Sequence, residues 1–406
     1  MIHVCFGLYD KNGTYSKFTG TTMLSVFENS NTPQKLPSIT IHILHDNTLT
    51  LDNREKFSYL AGQYNQLVKF YNVEELYADK INEMLALMPE VKNYRCSVGT
   101  AYRLFVANIL PADVDKIIYL DSDIIVNLDL KELWQVELGD KPFAAVPESS
   151  NGTNTQGFAL CREGYVRDED YFNSGVLLIN TKVFGDEKFL MSGMKFIGEH
   201  PQFIHVDQDV VNYLFSKDYL KLPAKFNFFT VRVRHLEEIN YERVIYHFAG
   251  PAFGITMNNP FNRLWLKYFS KTPWFGAETV EHLYESFNQI HVGLKNSMIQ
   301  ISAAMSGKTR AFFTAPVNVN ALKNIFLVRD DEEIFLAENQ SSLKKLIDAM
   351  NASRGKKVFI ILLLGFPFQS LTAAGFVFGK DFFDGMEFLS AANGLPLDSY
   401  QLIKAM

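Results

Sequence analysis

Segments typical of strands and segments typical of helices alternate along the first 130 residues of the chain. Four apolar runs have the character of strands: HVCFGL, SITIHILHD, QLVKFYNV and, from Lys116, KIIYLD. The segments between them, which include residues 18–28, the stretch DNREKFSYLAGQYN and residues 96–109, have the character of helices. A repeated strand–helix–strand order predicts an α/β fold built on a mainly parallel sheet. Ligands bind such sheets at the carboxyl ends of the strands.

The strand KIIYLD ends in two carboxylates, Asp121 and Asp123, which a single serine separates. Alternate residues of an extended chain point to the same side, so both carboxylates can address one point in space. Burying a carboxylate is costly unless a cation or hydrogen bonds compensate. Mg²⁺ or Mn²⁺, bound by one or two carboxylates together with the phosphate oxygens of a ligand, is the simplest such cation. His247, at the end of the strand RVIYHFAG, is the best candidate for a third ligand.

Two other interpretations of the D-x-D motif stay open at this point. Phosphatases of the haloacid-dehalogenase type also place D-x-D after an apolar strand, with the first Asp as nucleophile and the second as acid/base. Their motif usually lies near the start of a domain and has Thr or Val two residues after the second Asp. Here Ile125 stands at that place, and a complete βαβα region precedes the motif. The other interpretation is a purely structural pair of carboxylates in a turn.

Composition argues against several classes of function. The 406 residues carry a formal net charge of −6, whereas a nucleic-acid-binding protein is expected to show a basic field. The cysteines Cys5, Cys96 and Cys161 form no C-x-x-C, which favours free thiols in a reducing compartment. The N-terminus has no secretory pattern, and the longest apolar run, residues 358–364, is far shorter than the ~20 residues that span a bilayer. We therefore expect a cytoplasmic protein, with peripheral association with a membrane left open.

The pattern after residue 140 predicts two further regions. Residues 143–248 are rich in strands, such as FAAVPES and YFNSGVLLIN, and a helix opens at Asp207, where an Asp is most often an N-cap. Beyond residue 271 come a boundary helix, KTPWFGAETVEHLYESF, the apolar segments TRAFFTAPVN and KNIFLVRD, a helix in SSLKKLIDAM and the strand KKVFIILLLGF. The length exceeds that of a usual single domain. We predict a domain of residues 1–272 and a smaller α/β domain of residues 273–406.

Six segments of the first 270 residues resemble, in order, the retaining glycosyltransferases of family 8, which include bacterial lipopolysaccharide galactosyl- and glucosyltransferases and glycogenin. They are HVCFGLYDKNGTYS, SVGTAYRLFVANILP, KIIYLDSDIIV, YFNSGVLLIN, HVDQDVVNYLF and YHFAGP. The resemblance implies a GT-A fold, which is a Rossmann-like fold of nucleotide-diphospho-sugar transferases. It also implies a UDP-sugar donor, UDP-glucose or UDP-galactose, a glycan or glycopeptide acceptor, and Mn²⁺ or Mg²⁺ bound by Asp121, Asp123 and His247.

The same resemblance implies roles for individual residues. Gln208 would lie beneath the anomeric carbon and stabilise oxocarbenium character during front-face transfer. Asp207, the second residue with a catalytic role, would hydrogen-bond the transferred sugar together with Asn173, and Arg103 would reach the sugar and its phosphate. The other expected donor contacts are Gly7, Asp10, Tyr15, Asp121, Ser122, Ser174 and Gly250.

The chain departs from the family in one motif. The family often has H-x-x-G-x-x-K, in which the lysine contacts the diphosphate, but here Phe253 follows His247 and Gly250. The cations that could substitute for this lysine are Arg95, Lys11, Arg232 and Arg234. A module that binds UDP but is catalytically impaired is therefore an alternative. The C-terminal domain is similar to those of bacterial adhesin-glycosylating clusters, where it would recognise a glycopeptide or a partner transferase. The segment LLGFPFQSLTAAGF is either a contact surface or part of the core of this domain.

Overall fold

The computed structural model describes residues 1–30, 38–92, 98–230, 243–249, 260–339, 341–363 and 365–386. The chain divides into two compact units. The first contains the described residues up to 249 and Trp265–Phe275, and the second contains residues 260–264 and the described residues from Gly276 onward. None of the described helices combines the length and the apolar character that crossing a bilayer requires.

Two sheets form the first unit, and their strands are β1 (Ile2–Leu8), β2 (Ile39–His45), β3 (Leu67–Asn72), β4 (Lys116–Leu120), β5 (Ile124–Val126), β6 (Phe143–Pro147), β7 (Phe172–Asn180), β8 (Leu220–Lys221), β9 (Phe228–Phe229) and β10 (Ile245–His247). The larger sheet has the order β3-β2-β1-β4-β7-β6-β8, and the smaller one has the order β5-β10-β9. Strands β1 to β4 are parallel, as the strand–helix alternation predicts. Strand β7 is antiparallel to both β4 and β6, so its first residues lie at the carboxyl ends of these two neighbours.

The helices of this unit cover the two faces of the larger sheet, whose central strands are almost wholly buried. The helices are α1 (Thr14–Asn29), α2 (Leu51–Gln63), α3 (Val73–Leu76), α4 (Ala78–Leu87), α5 (Val98–Ala101), α6 (Val106–Ile109), α7 (Lys131–Trp134), α8 (Ala159–Arg162), α9 (Thr181–Phe184), α10 (Glu187–Gly198) and α11 (Val206–Phe215). A further helix, α12 (Pro260–Phe269), is divided between the two units. A threonine N-cap, Thr50, starts α2 by accepting from the backbone N–H of Asn53. The sequence predicts α1, α2 and α11 to within a few residues, whereas it did not predict α3, α4 or α7 to α10.

The predicted helix of residues 96–109 is helical throughout its described part, but it is not a regular α-helix. The chain there forms α5, a 3-10 turn over Tyr102–Phe105 and then α6. The physical reason is a buried guanidinium, because Arg103 Nε donates to the carbonyl of Thr100 at 2.8 Å instead of extending into solvent from a regular helix. A short 3-10 segment inside a helix often marks a functional site.

The second unit is a four-stranded parallel sheet of order β12-β11-β13-β14. Its elements are α13 (Ala277–Ala304), β11 (Thr309–Thr314), α14 (Val319–Phe326), β12 (Glu333–Leu336), α15 (Ser342–Ala352), β13 (Lys357–Leu362), α16 (Phe368–Ala373) and β14 (Phe382–Asp384). Adjacent residues of β11 alternate between two cores, because Phe312 packs with Leu322 on one face and Phe313 with Leu346 on the other. The first half of the apolar segment KNIFLVRD belongs to α14, and the sequence analysis did not identify β12.

Candidate active site

Two sheets bring the D-x-D carboxylates and a distant histidine together. Asp121 directly follows β4, and its backbone N–H donates to the carbonyl of Gly175 on β7 at 2.8 Å. The carbonyl of Asp123 accepts from the N–H of Phe248 at 2.9 Å. Because β5 and β10 pair antiparallel, with His247 opposite Ile124, the imidazole lies beside the two acids.

We call Asp121, Asp123 and His247 the acid–histidine cluster. His247 Nε2 lies 3.3 Å from Asp123 Oδ1 and 4.0 Å from Asp121 Oδ2. One ligand atom from each residue lies within 4.8 Å of the other two, and no other such group of three occurs in the described ranges. Burial alone would lower the pKa of His247, but Asp123 and then Asp121 raise it above its usual value. The pocket therefore attracts positive charge, and two carboxylates with one imidazole are a ligand set that suits Mn²⁺.

A glycine makes room for this cluster. A Cβ at Gly175 would lie 2.4 Å from His247 Cε1 and 2.8 Å from Asp121 Oδ2, which are distances that real Cβ contacts do not reach. The residue stands on the central strand β7, where glycine otherwise weakens a sheet. Because it has no Cβ, Gly175 leaves space for the side chains of two predicted ligands, His247 and Asp121.

Arg103 is the buried cation of the site. Its guanidinium is 2% exposed, and it donates to Asp121 Oδ1 at 2.7 Å and pairs with Asp207 Oδ2 at 3.0 Å. A third contact, at 2.6 Å, goes to the backbone carbonyl of Ser174. Burial raises the pKa of Asp207, and Arg103 opposes that rise. The arginine therefore lies between two predicted site carboxylates and is not a solvated side chain on a helix face.

The first turn of α11 carries Asp207 and Gln208 into the same region. Gln208 Oε1 accepts from the backbone N–H of Ser174 and from Asn173 Nδ2, both at 3.1 Å. Asp207 is not the N-cap of the helix, because His205 occupies that position. The backbone N–H of His205 donates to Asp209 Oδ2 at 3.0 Å, which leaves Asp207 available for Arg103.

The remaining predicted donor contacts have partners within the protein. Asp10 is buried, burial raises its pKa, and its carboxylate accepts from Ser16 Oγ and, at 2.9 Å, from the backbone N–H of Tyr15. Ser122 Oγ lies 2.7 Å from Thr19 Oγ1 on α1. Tyr15 is 39% exposed. A Cβ at Gly7 would lie 2.3 Å from the carbonyl oxygen of Gly99, so this glycine permits the close approach of β1 and α5.

Several predicted residues cannot be placed. Gly250, Phe253, Arg95, Arg232 and Arg234 lie outside the described residues. Among the proposed substitutes for the missing lysine, the structure therefore describes Lys11, which is exposed in the loop before α1.

Three residues of the site were missed by the sequence analysis. Glu148 is buried directly after β6, and its Oε1 accepts from Asn173 Nδ2 at 3.1 Å. Asn227 is fully buried and contacts His247, and Tyr171 contacts Gln208. Glu148 could have been found as a carboxylate at the carboxyl end of a buried strand. Tyr171 opens the segment YFNSGVLLIN, where its side chain was not singled out. Asn227 lies in no motif, and only the fold brings it to the site.

A seven-stranded sheet with an acid pair after its central parallel strand is the GT-A fold of nucleotide-sugar transferases. The crystal structure of galactosyltransferase LgtC, in complex with donor and acceptor sugar analogs, superposes with a TM-score of 0.52 at 23% identity. The superposition covers 70% of this chain and 100% of that one. The predicted fold is confirmed.

Sequence comparison gives the family. Residues 6–252 match glycosyl transferase family 8, and the chain belongs to this family, as predicted. Lipopolysaccharide 1,2-glucosyltransferase of Escherichia coli is 26% identical over 260 residues, which are 61% of this chain and 71% of that protein. Lipopolysaccharide 1,3-galactosyltransferase of Salmonella typhimurium is 24% identical over 288 residues, which are 67% of this chain and 79% of that protein. The chain is therefore a glycosyltransferase.

Proposed function

We propose that this chain is a retaining, metal-dependent hexosyltransferase that moves glucose or galactose from a UDP-sugar to a glycan or a glycosylated protein. The observation that carries the proposal is the acid–histidine cluster, whose three ligand atoms lie within 4.8 Å of one another at the carboxyl end of β4. Buried Arg103 and the amide of Gln208 lie on the adjoining elements. Family membership supports sugar transfer, and the names of the two lipopolysaccharide transferases support the choice of hexose.

The three residues of the cluster would bind Mn²⁺ or Mg²⁺, which supplies Lewis-acid neutralisation of the charge that develops on departing UDP. Arg103 orients Asp121 through a bond of 2.7 Å and balances its charge in a buried site. The same guanidinium contacts Asp207, so one cation positions a proposed metal ligand and a proposed sugar contact.

Gln208 suits front-face transfer because an amide oxygen carries partial negative charge and is a poor nucleophile. In this mechanism the bond between the anomeric carbon and the UDP oxygen breaks, and the acceptor oxygen bonds to the carbon on the same face. The acceptor proton passes to the departing phosphate oxygen, so no protein base is required. Gln208 stabilises the oxocarbenium character of the sugar by electrostatics. Asn173 contributes by positioning this amide, to which it donates at 3.1 Å.

The second unit lies outside the residues that match the family. We propose that it forms a separate domain that contacts either a glycopeptide acceptor or a partner transferase. Phe366 and Phe376 of the predicted segment are buried in a core of this unit, so that part of the expectation is not met. Val377 and Phe378, which follow the segment, are each 54% exposed and support a contact surface there. Replacing Phe378 with serine should then raise the KM for the acceptor and leave hydrolysis of the donor unchanged.

Calorimetric titration of UDP with and without Mn²⁺, followed by hydrolysis of a panel of UDP-hexoses, tests the proposal. Asp123→Asn removes one charge from the cluster and should lower turnover at least about 100-fold. Asp115→Asn is the matched control, because Asp115 precedes the same strand at its opposite end and pairs with Lys182 on the surface. Equal turnover of Asp123→Asn and the wild type would refute the proposal.

The same assays separate the two alternatives. Tight, Mn²⁺-dependent binding of UDP without turnover of any UDP-hexose would indicate a catalytically impaired binding module. Release of phosphate from simple phosphomonoesters would indicate the phosphatase.

A further inference from the structure

Six polar side chains form a continuous series of hydrogen bonds from His247 to Asp209, and we call this series the His247–Asp209 chain. In order, the members are His247, Asn227, Asn173, Gln208, Tyr171 and Asp209. The successive distances are 2.8 Å, 2.9 Å, 3.1 Å, 3.3 Å and 2.6 Å. Five members are buried, and Gln208 is half-buried. The chain therefore links a proposed metal ligand to the proposed catalytic amide without a gap.

Every hydrogen bond in the chain has the same direction. A backbone N–H can only donate, so the atom of Asn173 that lies 2.9 Å from the N–H of Gly175 is the oxygen, and the atom of Gln208 that lies 3.1 Å from the N–H of Ser174 is also the oxygen. The other amide atom of each residue is then a donor. Asn173 Nδ2 donates to Gln208 Oε1, and Gln208 Nε2 donates onward to the hydroxyl of Tyr171.

The directions of the hydrogen bonds at the two ends of the chain follow from the directions at Asn173 and Gln208. Asn173 Oδ1 accepts, so Asn227 must present its nitrogen to Asn173 and its oxygen to His247. His247 therefore donates from Nδ1, so in the neutral imidazole the lone pair lies on Nε2, the nitrogen that faces the two carboxylates. At the other end, Tyr171 donates to the carboxylate of Asp209, so its oxygen is free to accept from Gln208.

We propose that Asn227 and Tyr171 are positioning residues that act at the two ends of this chain. Asn227 selects the tautomer of His247 whose Nε2 can bind a metal ion, and Tyr171 holds the amide of Gln208 in one of its two orientations. Neither residue touches the reacting atoms. The part assigned to Tyr171 rests on the proposed function, whereas the part assigned to Asn227 concerns metal affinity alone.

Titration with Mn²⁺, followed by electron paramagnetic resonance, tests Asn227 without any turnover. Asn227→Ala removes the acceptor of the Nδ1 hydrogen and should raise the Kd for Mn²⁺ about 10- to 100-fold. Asn227→Asp keeps the acceptor for Nδ1, although it removes the donor to Asn173, and should bind Mn²⁺ more tightly than Asn227→Ala. A merely structural role would not separate the two variants, so equal Kd values for both would overturn the proposal.

Hydrolysis of the UDP-hexose tests Tyr171. Tyr171→Phe should lower kcat about 10-fold with an unchanged KM, and it should have no effect in a Gln208→Ala background. Tyr219→Phe is the matched control, because the hydroxyl of Tyr219 is also buried and has no hydrogen-bond partner among the described residues. An equal loss of kcat in both backgrounds would overturn the role of Tyr171.

The outcomes separate the inference from the proposed function. If the wild type turns over no UDP-hexose, the proposed function fails and the Mn²⁺ titrations still decide the role of Asn227. If the wild type binds no Mn²⁺ either, the ¹⁵N chemical shifts of His247 decide it. At a pH at which the imidazole is neutral, the inference expects the proton on Nδ1 in the wild type and a mixture of tautomers in Asn227→Ala, and a neutral wild-type imidazole with its proton on Nε2 would overturn it.

Discussion

Replacing Gly175 with alanine adds one carbon to the site and tests the geometry of the acid–histidine cluster. The new Cβ would lie 2.4 Å from His247 Cε1, 2.8 Å from Asp121 Oδ2 and 3.0 Å from Asn173 Oδ1. Carbon atoms in contact prefer about 3.5–4.0 Å, so the imidazole must move by roughly 1 Å or more. The backbone has little freedom to yield, because the carbonyl of Gly175 accepts from the N–H of Asp121.

Metal sites tolerate errors in ligand distance of only about 0.2 Å, so a displacement of roughly 1 Å should raise the Kd for Mn²⁺ at least about 100-fold. The overpacking itself should lower the free energy of unfolding by about 1–3 kcal/mol. Both quantities are measured on the same samples, by Mn²⁺ titration with electron paramagnetic resonance and by urea denaturation.

Gly62→Ala is the matched control for this experiment. Gly62 lies in α2 and does not have a positive φ, and a Cβ added to it would meet no other atom within 4 Å. An alanine there should leave Mn²⁺ affinity unchanged and should stabilise the helix by about 0.5–1 kcal/mol. A folded Gly175→Ala variant with the Mn²⁺ affinity of the wild type would refute the assignment of the cluster as a metal site.

Two further predictions concern buried charge. Arg103→Met leaves Asp121 and Asp207 without their shared cation and should lower the free energy of unfolding by about 3–5 kcal/mol, measured by urea denaturation at pH 7.5; a stable variant would contradict this. Burial lowers the pKa of His42 from 6.5 to about 3, so its neutral form stabilises the fold fully above pH 6.5, and that stability is lost as the pH falls toward 3. Between pH 7 and pH 5 the wild type should lose about 2 kcal/mol more than His42→Gln in urea denaturation, and equal losses would contradict the assignment.

The sequence predicts those elements whose residues carry a periodic pattern. The parallel strands β1 to β4 are rich in apolar and β-branched residues, and helices such as α2 lie between them, so local composition is enough to identify both. The segment that contains Arg103 could not be predicted in the same way. Its 3-10 turn depends on a guanidinium that finds its carboxylate partners on β4 and α11, far away in sequence.

The candidate site also has features that the sequence predicts and features that it does not. The D-x-D motif, the histidine within RVIYHFAG and the pair Asp207–Gln208 were visible because each stands at the end of a strand or the start of a helix. The structure brings these residues together, and it also shows that Asn173 and Asp10 form hydrogen bonds with protein partners. No local pattern could predict that, because those partners belong to other elements.

The amino-acid sequence by itself determined the class of fold, the family and the identity of the charged residues, because apolar periodicity and ordered motifs are properties of the linear chain. Only the tertiary structure decided how these residues are oriented. The antiparallel pairing of β5 with β10 sets His247 beside Asp123, and Gly175 makes the space that the imidazole fills. The direction of the His247–Asp209 chain follows from two backbone N–H groups of β7, at Ser174 and Gly175, whose positions the sheet alone determines.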